Sequence, residues 1–185
     1  MSHAVHAVSV PTATLVGYDP SDLRRVVIVK FRTKHGGRRG LPGGRVEFQA
    51  ETAMEAIVRE AREEANAEVL WKEARLLPVL ARSARDVRSI SRAKYLHEPA
   101  TSAEQLVGHY DGNFVVAAPV VAIGSLRGDP EEIESVAFES VEDDAIVNSL
   151  ILDFPAVVRG YRHLAAKAGF QRDRFLDLMP EIIRL

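Results

Sequence analysis

The sequence predicts a mixed α/β sandwich, and three observations carry that reading. Two β-patterned segments open the chain around a turn. One strongly amphipathic helical pattern follows a glycine-rich loop. An apolar β-run in the second half is then succeeded by further helical patterns, so strands and helices interleave.

Thr12–Gly17 and Arg25–Phe31 (RVVIVKF) have strand character and are separated by the turn-forming Asp19-Pro20-Ser21-Asp22. Lys34–Gly44 (KHGGRRGLPGG) is a basic loop without periodicity, and a helix is expected over Glu51–Ala65. Asn66 is placed to end it, since asparagine tolerates positive φ. Glu68–Leu80 alternates enough for an extended strand. Phe114–Ile123 (FVVAAPVVAI) is β-rich, with Pro119 arguing for an edge position or a bulge. Glu132–Phe138 is a shorter strand, and Asp143–Leu150 and Pro155–Lys167 are helices, with Pro155 suited to a helix start. The chain divides into one domain over 1–170 and a tail over 171–185, expected to pack on it as a short helix.

Composition narrows the function classes. An apolar fraction of 46% and a charged fraction of 27% in 185 residues describe a soluble globular protein. The net charge of −2 gives no global attraction to nucleic acid or membrane, so affinity for phosphate must come from a local site. With no cysteine, disulfides, thiolate metal sites and a thiol nucleophile are excluded, in keeping with a cytoplasmic location. Met1–Val10 lacks the pattern of a signal peptide, and Phe114–Gly124 is too short to span a bilayer, so no membrane role is expected.

The helix over residues 51–66 is the informative element. On a wheel at ~100° per residue with Ile57 at zero, Ala61, Met54, Ala65 and Val58 fall at about 40° to 100°. Glu64 falls inside this packing arc at about −20°, and Glu60 on its border at about −60°. Arg62, Glu55 and Arg59 point the other way. A run such as REAREE is on most helices a solvated charge ladder. Glu64 amid the apolar stripe argues otherwise, because a desolvated carboxylate costs several kcal/mol unless it is compensated. Glu60 and Glu64 are stacked four residues apart and invite a shared counter-charge. Carboxylate oxygens suit Mg²⁺ or Mn²⁺, with Glu63 beside them for a second ion or a water. Gly43 and Gly44, just before the helix, let backbone approach a ligand closely.

Gly43–Ala67 reads GGRVEFQAETAMEAIVREAREEANA, and in it Glu51, Arg59, Glu60, Ala61, Glu63 and Glu64 stand in fixed register. The segment resembles the Nudix box, Gly-x5-Glu-x7-Arg-Glu-U-x-Glu-Glu-x-Gly-U with U aliphatic, and departs from it at three points. The loop is one residue longer, with six residues between Gly44 and Glu51. Asn66 replaces the last glycine, and Ala67 is a small final aliphatic.

The resemblance implies an α/β/α sandwich around a mixed sheet. It also implies metal-dependent hydrolysis of a diphosphate linkage in a nucleoside diphosphate joined to another group, by an activated water. Glu60 and Glu64 would be the principal metal ligands, Glu63 a further ligand or base, and the Gly43 carbonyl an additional ligand. Arg59 would orient the carboxylates by pairing with Glu51 or a neighbour. Gly44 would support the turn. A nucleotide-binding or regulatory module is the rival reading. Such modules usually lose box carboxylates, and Glu60, Glu63 and Glu64 are all retained.

Other signals are secondary. Lys34, Arg38 and Arg39 in the loop, and Arg82, Arg85, Arg88, Arg92 and Lys94 further on, are candidates for substrate phosphates. The second group could also hold a capped or 5′-phosphorylated RNA end, the one nucleic-acid partner the sequence leaves open. A later acid that assists catalysis could be Glu98, Glu104, Asp111, Glu131 or Glu132. Trp71, Phe48 and Tyr110 could stack on a base, although core packing is the commoner role for such residues. The resemblance also allows a homodimer. No substrate-subgroup signature follows the box.

Overall fold

The computed structural model describes residues 6–47, 50–77, 106–151 and 154–179. Strand β1 (His6–Asp19) turns antiparallel into β2 (Asp22–Phe31), and the Asp19 carboxylate fixes the turn by accepting from the Ser21 N–H and hydroxyl. A 3-10 turn (Lys34–Gly37) leads to the short strands β3 (Arg39–Gly40) and β4 (Gly43–Arg45), which pair with β2 and β1. Helix α1 (Ala53–Ala65) is followed by β5 (Ala67–Val69), a second 3-10 turn (Trp71–Glu73) and β6 (Arg75–Leu76). The long β7 (Leu106–Ala122), β8 (Ile133–Ser140) and helices α2 (Asp144–Asn148), α3 (Phe154–Lys167) and α4 (Arg172–Asp177) come after.

The sheet has the order β3-β2-β1-β7-β5, with β8 also on β2, β4 on β1 and β6 on β7. β1 and β7 run parallel while the other pairs are antiparallel, so the sheet is mixed, as expected. Side-chain alternation builds a layer on each face. Ala13 and Leu15 of β1 and Val116, Ala118 and Val120 of β7 face the Ala56, Ile57, Ala61 and Ala65 stripe of α1. Val16, Tyr18, Val115 and Ala117 face the other way, into a core closed by Val157, Val158 and Tyr161 of α3 and Phe175 of α4. The expected α/β/α sandwich is what forms. Among the described residues no helix is long and apolar enough to cross a membrane.

Several local expectations are corrected. α1 starts at Ala53 rather than Glu51, because Thr52 takes an extended conformation and caps it. The Thr52 hydroxyl accepts from the Glu55 N–H, and the Glu55 carboxylate accepts from the Thr52 N–H, a reciprocal box that satisfies two otherwise unpaired donors. The loop of residues 34–44 is partly ordered as strand pairing. Glu68–Leu80 is not one strand: β5 and β6 pair with the same edge of β7, interrupted by the turn at Trp71.

Pro119 lies in neither an edge strand nor a bulge. It sits in β7, opposite Tyr18 of β1 on one side. On the other side its carbonyl accepts from Leu70 N–H at 2.9 Å. Its missing donor falls where β5 has ended and the Trp71 turn leaves the ladder, so no strand bond is lost.

Candidate active site

The small residues of α1 let its axis lie close to the sheet, because interaxial distance follows side-chain size. This brings the carboxylates of the inner face onto the backbone of β4. Glu64 is 4% exposed and Glu60 9% exposed. Gly43 donates its N–H to Glu64 Oε2 at 3.0 Å. Gly44 faces Glu60 so closely that a Cβ there would stand 2.0 Å from Glu60 Oε1. Gly43 is equally confined, since a Cβ would meet the Ala13 carbonyl of β1 at 2.4 Å. Space therefore requires glycine at position 43, where backbone blocks a side chain, whereas at position 44 a side chain would displace the Glu60 carboxylate.

Arg59 organises the remainder. All five of its N–H groups are engaged. Nε and Nη2 donate to the two Glu51 oxygens at 3.1 and 2.8 Å, and Nη2 also donates to the Arg45 carbonyl at 3.1 Å. Nη1 donates to Glu60 at 2.8 Å and to Glu63 at 3.2 Å. One guanidinium thus serves three carboxylates. The hydrogen bonds it donates to Glu51 hold the Arg59 guanidinium firmly in its charged form against the effect of burial. Reciprocally, the Arg59 bond holds the Glu51 carboxyl below the usual range, against partial desolvation and with help from the Glu47 N–H. The longer loop before Glu51 is absorbed by a turn in which Ala50 and Glu51 N–H groups donate to the Glu47 carbonyl. Glu63 is the exposed member, with 59% of its side-chain surface accessible.

The far end of α1 is closed by a segment that the sequence does not advertise. Asn66 takes the left-handed conformation (φ 49°) and its side-chain amide donates to the carbonyls of Ile123 and Ser125 at 2.6 and 3.0 Å. The N–H groups of Asp129 and Arg127 donate to the carbonyls of Glu63 and Ala65. Gly128 is packed so tightly that a Cβ would stand 2.6 Å from the Glu64 carbonyl oxygen. The loop after β7 therefore fixes the turn of helix bearing Glu63 and Glu64.

The structure brings Gly43, Gly44, Glu51, Arg59, Glu60, Glu63 and Glu64 into one place. Lys34 lies in the first 3-10 turn, Arg38 just after it, and Arg39 in β3 opposite Lys30. Glu131 and Glu132 are exposed in the loop before β8, and Asp111 and Tyr110 lie within β7. Phe48, Arg82, Arg85, Arg88, Arg92, Lys94, Glu98 and Glu104 lie outside the described residues. Trp71 is exposed.

The donor chemistry, all oxygen and partly buried, fits a hard divalent cation. Among the described residues no group of three or more acidic or imidazole side chains stands ready to hold one. Arg59 Nη1 bonds to both Glu60 and Glu63, taking up oxygens that a cation would need.

A sequence model of the NUDIX domain matches residues 10–148. Among solved structures, a MutT NUDIX hydrolase from Burkholderia pseudomallei is similar at TM-score 0.51 and 20% identity, over 82% of this chain and 97% of that one. A NUDIX hydrolase from Nitrosomonas europaea aligns at TM-score 0.57 and 14% identity, over 84% of this chain and 88% of that one. The NUDIX domain of Shewanella oneidensis NrtR, solved in complex with ADP ribose, aligns at TM-score 0.56 and 14% identity, over 85% and 88%. At these identities the structural likeness concerns the fold. A comparison with curated proteins finds no match.

Proposed function

The chain belongs to the Nudix hydrolase family, whose members hydrolyse nucleoside diphosphate derivatives, and from that premise we propose a Mg²⁺- or Mn²⁺-dependent pyrophosphohydrolase. Its substrate is a nucleoside diphosphate linked to another group. The observation that carries the reading is the pair Glu60 and Glu64, two buried carboxylates one helical turn apart, each packed against glycine backbone. Held by Arg59 and the Gly43 N–H, the two carboxylates form an oxygen-rich pair of the kind that suits a divalent cation.

Glu60, Glu64, Glu63 and the Gly43 carbonyl would hold the cation, which when bound neutralises phosphate oxygens and makes water a better nucleophile. Arg59 keeps its hold on Glu51 through Nε and Nη2, so only its Nη1 bonds to Glu60 and Glu63 have to yield. Gly43 N–H keeps Glu64 oriented. Exposed Glu63 accepts the proton of the attacking water. The water oxygen bonds to one phosphorus as the bridging P–O bond breaks, leaving two phosphate-bearing products and no covalent enzyme intermediate.

The test is a panel of nucleoside triphosphates, ADP-ribose, NADH, dinucleoside polyphosphates and capped RNA, each with Mg²⁺ or Mn²⁺, against Glu64→Gln. Turnover that needs the metal and collapses in Glu64→Gln is expected. Equal turnover by Glu64→Gln would remove the metal assignment. Tight binding of one member without turnover would favour a regulatory module.

A further inference from the structure

Trp71, the single tryptophan of the chain, is 37% exposed and lines an open groove along α1. The groove has a volume of about 460 Å³ and is lined by Glu55, Val58, Arg59, Arg62, Glu63 and Trp71. That volume lies in the range of small-molecule sites. Resting on the hydrolase reading above, we propose that this groove is the subsite for the nucleobase of the substrate. The base stacks on Trp71 over Val58, and the phosphate chain runs toward Glu63.

Three features support this occupant. The groove is continuous with the carboxylate cluster, because Arg59 and Glu63 line both. From Glu55 to Glu63 the helix advances about 12 Å, enough for a nucleotide laid along it. The charges also fit. Glu55 is engaged in capping α1, and Arg62 brings a positive charge to the wall of the groove.

The backbone that carries the indole is also held in place. Leu70 is bonded to Pro119, the Ala74 N–H donates to the Trp71 carbonyl, and Glu73 two residues on is paired with Arg172. Pro119 has no donor with which to continue the ladder past Leu70, which is where the chain turns outward and presents Trp71. A large apolar side chain carried in an exposed position on an anchored turn makes a ready stacking platform.

The sole tryptophan makes the test direct. Parent protein is titrated with adenosine 5′-monophosphate while its fluorescence is followed, and ribose 5-phosphate serves as the baseless control. Saturable quenching by the nucleotide alone is expected. Absence of quenching at millimolar nucleotide, or equal quenching by the sugar phosphate, overturns the subsite. In steady-state assays Trp71→Ala should raise KM about tenfold with little change in kcat, and Trp71→Phe should restore KM. Turnover in the panel with an unchanged KM in Trp71→Ala would sink the subsite and leave the hydrolase standing. Quenching without turnover would do the reverse.

Discussion

Arg59 grips Glu51 with two parallel hydrogen bonds, Nε to Oε2 at 3.1 Å and Nη2 to Oε1 at 2.8 Å, across the start of α1. The pair ties the residue before the helix cap to the second turn of the helix, and leaves Nη1 to align Glu60 and Glu63. Only a planar fork can do both at once. Arg59→Lys should therefore keep its charge and lose its geometry. We expect a fall in kcat of about 10- to 100-fold with an unchanged circular dichroism spectrum. Full activity in the lysine variant would mean that positive charge alone suffices.

The same pair sets a pH dependence. Arg59 first, with Glu47 N–H assisting, lowers the Glu51 carboxyl below its ordinary value of 4.5, against partial desolvation. A depressed carboxyl stabilises the fold fully above its unfolded pKa, and that contribution is lost as pH falls through the folded one. In urea denaturation the stability gap between parent and Glu51→Gln should be constant from pH 7 to about 5 and close progressively at lower pH. A gap that closes already between pH 7 and 6 would assign it to another group.

Much of this site was legible in the helical period. A wheel fixes which residues face inward, and Glu64 and Glu60 are buried beside the alanine stripe it picks out. Strand extents and Pro119 were harder to read. Whether a proline harms a strand depends on its neighbour, here the chain leaving β7 at Leu70, and no local pattern encodes that. The anchor from Arg59 to the Arg45 carbonyl was likewise hidden, since a backbone oxygen has no residue signature.

Gly44 tests the close approach on which the metal reading rests. A methyl at this position would overlap the Glu60 carboxylate, which would have to swing away. Gly44→Ala should reduce kcat about 100-fold, the scale of an ångström-sized misplacement of a catalytic group. Its thermal midpoint should move little, since a side-chain end can yield. A large loss of stability would show instead that Gly44 serves the fold.

Asn66 stands where the Nudix pattern has glycine, and the structure predicts that restoring the glycine does harm. Glycine would accept the left-handed backbone readily, but two amide bonds to the carbonyls of Ile123 and Ser125 would go. Asn66→Gly should lose about 1 kcal/mol by chemical denaturation. Asn66→Ala should lose more, because it adds positive-φ strain. A gain in stability from Asn66→Gly would show that the two amide bonds contribute nothing.

Two tyrosines in the opposite layer should respond in opposite senses to the same change. Tyr18 and Tyr161 lie 6.1 Å apart, centroid to centroid, and both pack edge-on against Phe175. The Tyr161 hydroxyl donates to the Leu23 carbonyl at 2.9 Å, whereas the buried Tyr18 hydroxyl has no hydrogen-bond partner among the described residues. Burial raises the pKa of both, so neither ionises at neutral pH. An unpaired buried hydroxyl loses its hydration and gains nothing in return, so Tyr18→Phe should stabilise the fold by up to about 1 kcal/mol. Tyr161→Phe should destabilise it by about 1 kcal/mol, because it strands the Leu23 carbonyl. Urea denaturation with unchanged m-values separates the two. Equal losses in both variants would mean that the Tyr18 hydroxyl has a partner in solution.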